Sequence, residues 1–307
     1  MSLICVGSMA YDAIETPFGK RDRIVGGSAV YVAYAAAHFV KPINLISIIG
    51  DDFSAGEIAA LEARGSSLEG VQRVVGKKSF FWSGKYHLDM NSRDTLVTDL
   101  NVLADFNPQV PDSYQGSEFM MLGNLAPVVQ IQVIQQMKTR PKLIAMDTMN
   151  FWMESAMDDL KRVMGMVDVL LINDSEARQL SGEYSLVKSA RKIMQMGPRF
   201  LVIKKGEHGA LLFHENNVFF APALPLEDVF DPTGAGDTFA GGFMGHLAKT
   251  KDISFENMKS AIIAGSALAS FCVEKFGPER LKEITKADLD DRIQQFIQLV
   301  NFDFSLV

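Results

Sequence analysis

Short apolar runs recur along the chain, most ending at Gly, Asp or Asn and most followed by a stretch fit for a helix. This alternation constrains the fold more than any other feature of the sequence. Leu3–Val6 reads as a first buried strand ending at Gly7-Ser8, and Ile43–Ile48 as a second ending at Gly50-Asp51-Asp52. Between them Ala29–Phe39 is small, apolar and free of Pro and Gly, which suits a helix packed on a sheet, and Glu57–Ala63 reads as the next helix. Strand–helix–strand–helix order is the signature of an α/β layered fold. The order resumes at Glu118–Leu122, Leu143–Asp147, Val167–Asn173 and Phe200–Lys204, of which the first three precede helix-compatible segments. Ala210–Phe213 and Val218–Phe220 flank Asn216-Asn217, a hairpin signal. Gly234–Leu247, Phe255–Val273 and Ala287–Val300 read as helices.

The middle breaks this pattern. Ser79–Leu88 and Thr95–Leu100 are aromatic and β-branched, with the turn formers Asn91-Ser92-Arg93-Asp94 between them. That predicts a hairpin in a small sheet projecting from the α/β body, to which Asp12–Ile24 could add a strand. The whole chain, 1–307, is therefore expected to be one domain carrying an inserted lid made of about 12–24 and 79–105. Its 48% apolar and 22% charged residues are ordinary for a globular enzyme. A formal net charge of −7 argues against nucleic acid as the main partner, because a phosphate backbone needs a basic face. The longest apolar stretch, Ala261–Val273, is too short to span a bilayer, so no membrane partner is expected. Cys5 and Cys272 lie in apolar runs far apart and fit two buried thiols in a reducing cytoplasm.

The strongest chemical signal is Asp231-Pro232-Thr233-Gly234-Ala235-Gly236-Asp237-Thr238-Phe239. Pro232 discourages helix before it, and two glycines let the chain turn tightly before an apolar helix begins. The N–H groups of Gly234, Ala235 and Gly236 would then point out of a helix N-terminus and hold an anion. An acid in the first turn, Asp237, could merely stabilise the helix; beside an anion cradle it also reads as a base for an attacking hydroxyl. No G-x-x-x-x-G-K-[ST] P-loop is present, and the glycines of 234–242 do not form a dinucleotide fingerprint.

With this segment the chain resembles the PfkB, or ribokinase-like, carbohydrate kinases. Asp231–Phe239 matches their C-terminal signature, Gly26-Gly27-Ser28-Ala29 their N-terminal Gly-Gly signature, and Asn173-Asp174-Ser175-Glu176 their Asn-x-x-Glu element, all in family order. The resemblance implies a three-layer α/β/α domain with a mainly parallel sheet and a β-sheet lid. It also implies ATP-dependent phosphorylation of a hydroxyl on a small sugar, or alternatively on a nucleoside. Asp237 matches the catalytic base and Gly234, Ala235 and Gly236 the anion hole. Asn173 and Glu176 match the element that organises nucleotide phosphates and, indirectly, magnesium. Lys204 and Gly206 fall where relatives often show a Thr/Ser-x-Gly turn touching ATP, with Lys204 in place of the hydroxyl. Asp12 matches the acid holding substrate hydroxyls, and Gly27 the position of close backbone approach in the substrate pocket. Asp231 and Thr233 lie where some relatives bind a monovalent cation such as potassium, with Phe276-Gly277 nearby.

The departures concern the acceptor. Ribokinase-type sequences read Gly-Gly-Lys-Gly-Ala-Asn where this chain places Ser28 and Tyr31 in place of the lysine and the asparagine, so the pocket should differ from that of a ribose kinase. Asn124 and Asn150 are candidates for substrate contacts or for loop-capping amides. Phe81, Trp82 and Tyr86 on the hairpin could serve as lid core, as an apolar wall over a nucleobase, or as the interface of a homodimer formed through the lid.

Overall fold

The computed structural model describes residues 2–301, and every structural statement below refers to them. Two sheets are present. The larger is built from strands β1 (Leu3–Val6), β4 (Ile43–Gly50), β5 (Ser66–Val74), β8 (Phe119–Leu122), β9 (Leu143–Asp147), β10 (Val169–Asn173), β11 (Phe200–Lys204), β12 (Ala210–His214) and β13 (Asn217–Ala221). The smaller contains β2 (Ala10–Thr16), β3 (Gly19–Gly26), β6 (Phe80–Tyr86) and β7 (Arg93–Asp99). The large sheet runs β13-β12-β11-β10-β9-β8-β1-β4-β5, parallel from β11 to β5, with β12 and β13 added antiparallel.

Its strands are apolar on both faces because helices cover both. Leu3 and Cys5 of β1 enter the core beneath the helices Ser28–Ala36, Ala235–Thr250 and Phe255–Cys272. Ile4 and Val6 enter the opposite core with Leu160, Val163, Ala177 and Ile193. The first of these layers is thin, since a Cβ at Gly241 would meet the Val32 carbonyl oxygen at 2.6 Å, so only glycine lets the two helices touch there. The α/β/α layering with a separate lid sheet agrees with the expectation from sequence.

The lid is more elaborate than the sequence indicated. Residues 12–24 supply two strands, not one, and β2 pairs parallel with β6, fusing the two hairpins into one sheet of order β3-β2-β6-β7. Strand β7 ends at Asp99; beyond it Asn101–Asp105 forms a 3-10 turn whose Val102 is buried in the body core. Strand β5 has no counterpart in the sequence reading. Its Ser66-Ser67-Leu68-Glu69-Gly70 start carries little apolar character because it forms the edge of the large sheet.

Candidate active site

Three adjacent parallel strands end together: β9 at Asp147, β10 at Asn173 and β11 at Lys204, with Leu171 opposite Asp147 and Asn173 opposite Lys204 in register. Carboxyl ends of parallel strands are where open α/β sheets bind ligands. The helix Ala235–Thr250 begins over the same edge. Its cap, Gly234, has φ 76°, and a Cβ there would enter the ring of Tyr31, so neither the backbone angle nor the space admits another residue.

The cradle differs in one detail from expectation. The Ala235 N–H is donated to the Pro232 carbonyl at 3.1 Å, whereas the N–H groups of Gly236 and Asp237 find no protein acceptor among the described residues. Lys204 closes the other side: a Cβ at Gly236 would lie 3.0 Å from its Nζ. Its ammonium donates to Asp147 Oδ2 at 2.7 Å, with the two side chains 16% and 8% exposed. Burial works to lower the Lys204 pKa, but Asp147 and Glu176 outweigh it and keep the ammonium charged. A site in which helix-terminal N–H groups face a lysine fits an anion between them, as a nucleotide phosphate would be.

Asp237 stands in the first turn of the helix, partly exposed toward the cleft. Burial of its carboxylate first, and Asp147 second, push it up to about 7, while Lys204 and Arg93 oppose the shift. Asp12 is 5% exposed and is pushed further, to about 8, by burial and then by Asp231 and Asp237, with Arg93 again opposing. Asn173 and Glu176 form a reciprocal cap: Asn173 Oδ1 accepts from the Glu176 N–H at 2.8 Å, and Glu176 Oε2 accepts from the Asn173 N–H at 2.7 Å. Burial and then Asp147 raise the Glu176 carboxyl above its usual range, which suits a group completed by a cation.

The remaining predicted residues divide by position. Ser28 exchanges hydrogen bonds with Ser8 at 3.1 Å in each direction, fixing the Gly26–Ser28 loop against the end of β1. Gly27 has φ 95°, and a Cβ there would strike the Ser8 carbonyl. Tyr31 is 1% exposed and underlies the cradle, its hydroxyl without a partner. Asp231 is fully buried and accepts from the N–H of Thr233 and of Gly277, each at 2.9 Å. Burial raises it against those two bonds, and no cationic side chain enters that balance. The Thr233 hydroxyl donates to the Tyr86 hydroxyl at 3.1 Å. Asn124 accepts from Trp152 Nε1 at 2.9 Å and donates to Met149 Sδ, so its amide is committed within the protein, while Asn150 donates to Gln179 at the surface. Gly206 lies beneath the lid tip, close enough that a Cβ would clash with the Asn91 side chain.

The lid aromatics do not share one role. Tyr86 is 3% exposed and packs with Ile14 and Phe276, so it faces the body and not a second subunit. Phe81 packs against the main core. Trp82 lies opposite Asp12 in register, and a Cβ at Gly84 would penetrate its six-membered ring, so the indole lies along the sheet on the face that carries Asp12. Sequence reasoning missed Arg93, seen there only as part of a turn. Its guanidinium reaches over the Trp82 and Tyr86 rings, at 5.3 and 5.8 Å, and acts on Asp12, Asp237 and Glu176 alike. Asp147 was also missed as a site residue, although an acid at the end of a buried strand was a usable signal.

Known proteins share the fold and part of the sequence. The chain is 28% identical over 259 residues to a cytidine kinase of Thermococcus kodakarensis, covering 82% of this chain and 91% of that one. It is similar in fold to Burkholderia thailandensis nucleoside kinase in complex with inosine, with a TM-score of 0.74 and 21% identity over 97% of this chain and 99% of that one. Thermotoga maritima ribokinase superposes with a TM-score of 0.75 and 20% identity over 96% and 99% of the two chains. The model of the pfkB family carbohydrate kinases matches residues 1–284. An edge of parallel strands, a helix-terminal cradle and a carboxylate beside it thus stand in a chain that belongs to the pfkB family, whose members are phosphotransferases acting on hydroxyl groups.

Proposed function

We propose that the chain transfers the γ-phosphoryl group of ATP to a ribosyl hydroxyl of a nucleoside, with Asp237 as the base. The observation that carries the choice of acceptor is the Trp82 indole, laid along the sheet beside Asp12. A flat aromatic face next to a hydroxyl-binding acid suits a ligand with a planar base at one end and a ribose at the other. The relatives that are cytidine and nucleoside kinases point the same way.

Asp237 takes the proton from the acceptor hydroxyl as that oxygen bonds to phosphorus and the bridging P–O bond of the nucleotide breaks. A base with a pKa of about 7 suits this work near neutral pH, where about half of it is deprotonated and ready to take a proton. The free N–H groups of Gly236 and Asp237, with Lys204 and Arg93, oppose the negative charge on the transferring group. Asp12 orients the acceptor. Asn173 and Glu176 hold the phosphate side, where magnesium, when bound, neutralises the nucleotide's charge. The lid, in contact with Gly206 through Asn91, keeps water from competing for the phosphoryl group. Buried Asp231, with no cationic side chain of its own, fits a monovalent cation beside it, such as potassium.

A phosphorylation assay with ATP across ribonucleosides and free sugars tests this reading. Turnover of a nucleoside at least tenfold more efficient (about 1.4 kcal/mol) than of ribose or fructose is expected; turnover of free sugars alone would overturn the choice of acceptor. We also propose pairing of two copies through the lid. Strand β7 supports it, being exposed throughout and presenting Leu96 and Val97 at an unpaired sheet edge. Light scattering should return twice the mass of one chain, and L96K should return it to the mass of one.

A further inference from the structure

Among the described residues Lys204 is the cation of the body at the cradle, and its surroundings are unusual. An ammonium carries three N–H donors, and among the described residues only Asp147 accepts from it. The ammonium lies beside the first turn of the helix Ala235–Thr250, where a Cβ on Gly236 would be 3.0 Å from Nζ, with the Asp237 carboxylate in the same turn. The carboxylate side of the pair is fixed. Asp147 Oδ1 accepts from the Thr148 N–H at 2.8 Å, and the Asp147 carbonyl accepts from buried Gln130. The lysine stem carries four methylenes and can redirect its ammonium without moving the backbone. One partner is therefore anchored and the other can swing toward the free N–H groups of Gly236 and Asp237, where a phosphate would meet both.

We infer that Asp147 is the resting counter-ion of a mobile Lys204: the ammonium passes from Asp147 to the terminal phosphate of the bound nucleotide and returns to Asp147 when the shorter nucleotide product is left. The inference rests on the kinase reading above. It assigns Asp147 a positioning role, acting through Lys204, and makes the pair a device that distinguishes ATP from ADP. In the resting state Asp147 prevents the ammonium from being left buried and unpaired, which would be strongly destabilising. In the occupied state it competes with the phosphate for the same ammonium, so it weakens nucleotide binding and favours release.

Calorimetric titration of ATP and ADP without acceptor, into wild type, Lys204→Met, Asp147→Asn and the double variant, tests the exchange. Lys204→Met should lower ATP affinity by about tenfold or more, the scale of a lost charge-assisted hydrogen bond, and change ADP affinity by less than about twofold. Asp147→Asn should raise ATP affinity by several-fold, because it removes the competitor, and this gain should vanish in the double variant. The double variant leaves no unpaired charge and guards against a Lys204→Met protein that does not fold. If Asp147→Asn weakens ATP and ADP alike, or its gain persists without Lys204, the pair is only structural and the inference fails. Wild type that binds neither nucleotide would instead overturn the kinase reading itself.

Discussion

The Arg93 guanidinium donates to the Tyr86 hydroxyl at 3.3 Å, and that hydroxyl accepts from Thr233 at 3.1 Å, so a lid cation is tied through Tyr86 to the cradle loop. Arg93 also opposes the upward shifts of Asp12, Asp237 and Glu176, which places its charge between the acceptor and nucleotide sides. Arg93→Ala should reduce kcat by about 10- to 100-fold, as loss of a charged donor does, with little change in melting temperature. Arg93→Lys should recover part of the loss. Unchanged kcat in Arg93→Ala would remove the lid cation from the chemistry.

Asp237 makes two predictions through one proton. The base must be ionised, so kcat/KM should fall as pH drops through about 7. Asp237→Asn should lose about 100-fold or more in turnover at about pH 8, where the wild-type base is ionised, and the gap should narrow as pH falls below about 7. Asp12 and Asp237 have folded-state pKa values above the ordinary 3.8, so the folded chain keeps protons that the unfolded chain releases. Their contribution to stability is complete below about pH 4 and is lost as pH rises through about 7 to 8. The ligand-free protein should therefore melt lower at about pH 8 than at about pH 6, and Asp237→Asn should narrow that difference. A melting temperature that rises over this interval would contradict the assignment.

Trp82 should control the acceptor and not the nucleotide. Trp82→Ala is expected to raise the nucleoside KM by about tenfold while ATP affinity is unchanged, and Trp82→Phe to fall between. Equal loss for nucleosides and free sugars would mean that the indole supports the lid without meeting a base.

Asp231 predicts an ion effect. Potassium should raise both the melting temperature and turnover relative to a large organic cation, and Asp231→Asn should abolish the response. A melting temperature indifferent to potassium in the wild type would leave Asp231 as a loop anchor between Thr233 and Gly277.

Much of this site was legible because its residues mark the ends of regular elements. The Gly234-Ala235-Gly236-Asp237 turn and the strand ending at Lys204 follow from local rules of chain direction, while Asn173 and Glu176 were legible through the family resemblance and prove to form a reciprocal cap. What was not legible depended on tertiary neighbours. Arg93 reads as part of a polar turn but begins strand β7, and only the folding of the lid over the body brings it to Asp237. The Ala235 N–H was expected in the cradle, but the turn after Pro232 closes on itself and uses that donor. The pairing of β2 with β6 joins segments about seventy residues apart, and nothing in either strand announces the other. Tyr86 stood open between lid core, apolar wall and dimer interface because strand alternation alone does not say which lid face meets the body.

The lid sheet is continuous with the acceptor site along the chain. Strand β2 leaves the end of β1 and carries Asp12, and β3 returns into Gly26 and Gly27 at the start of the helix Ser28–Ala36. Closing the lid and assembling the acceptor site are accordingly one movement of one stretch of chain. Such a lid cannot be exchanged between relatives as a module: a transplanted lid would import its donor's taste in acceptors, and a new acceptor preference selected at Asp12 or Trp82 would alter how readily the enzyme opens.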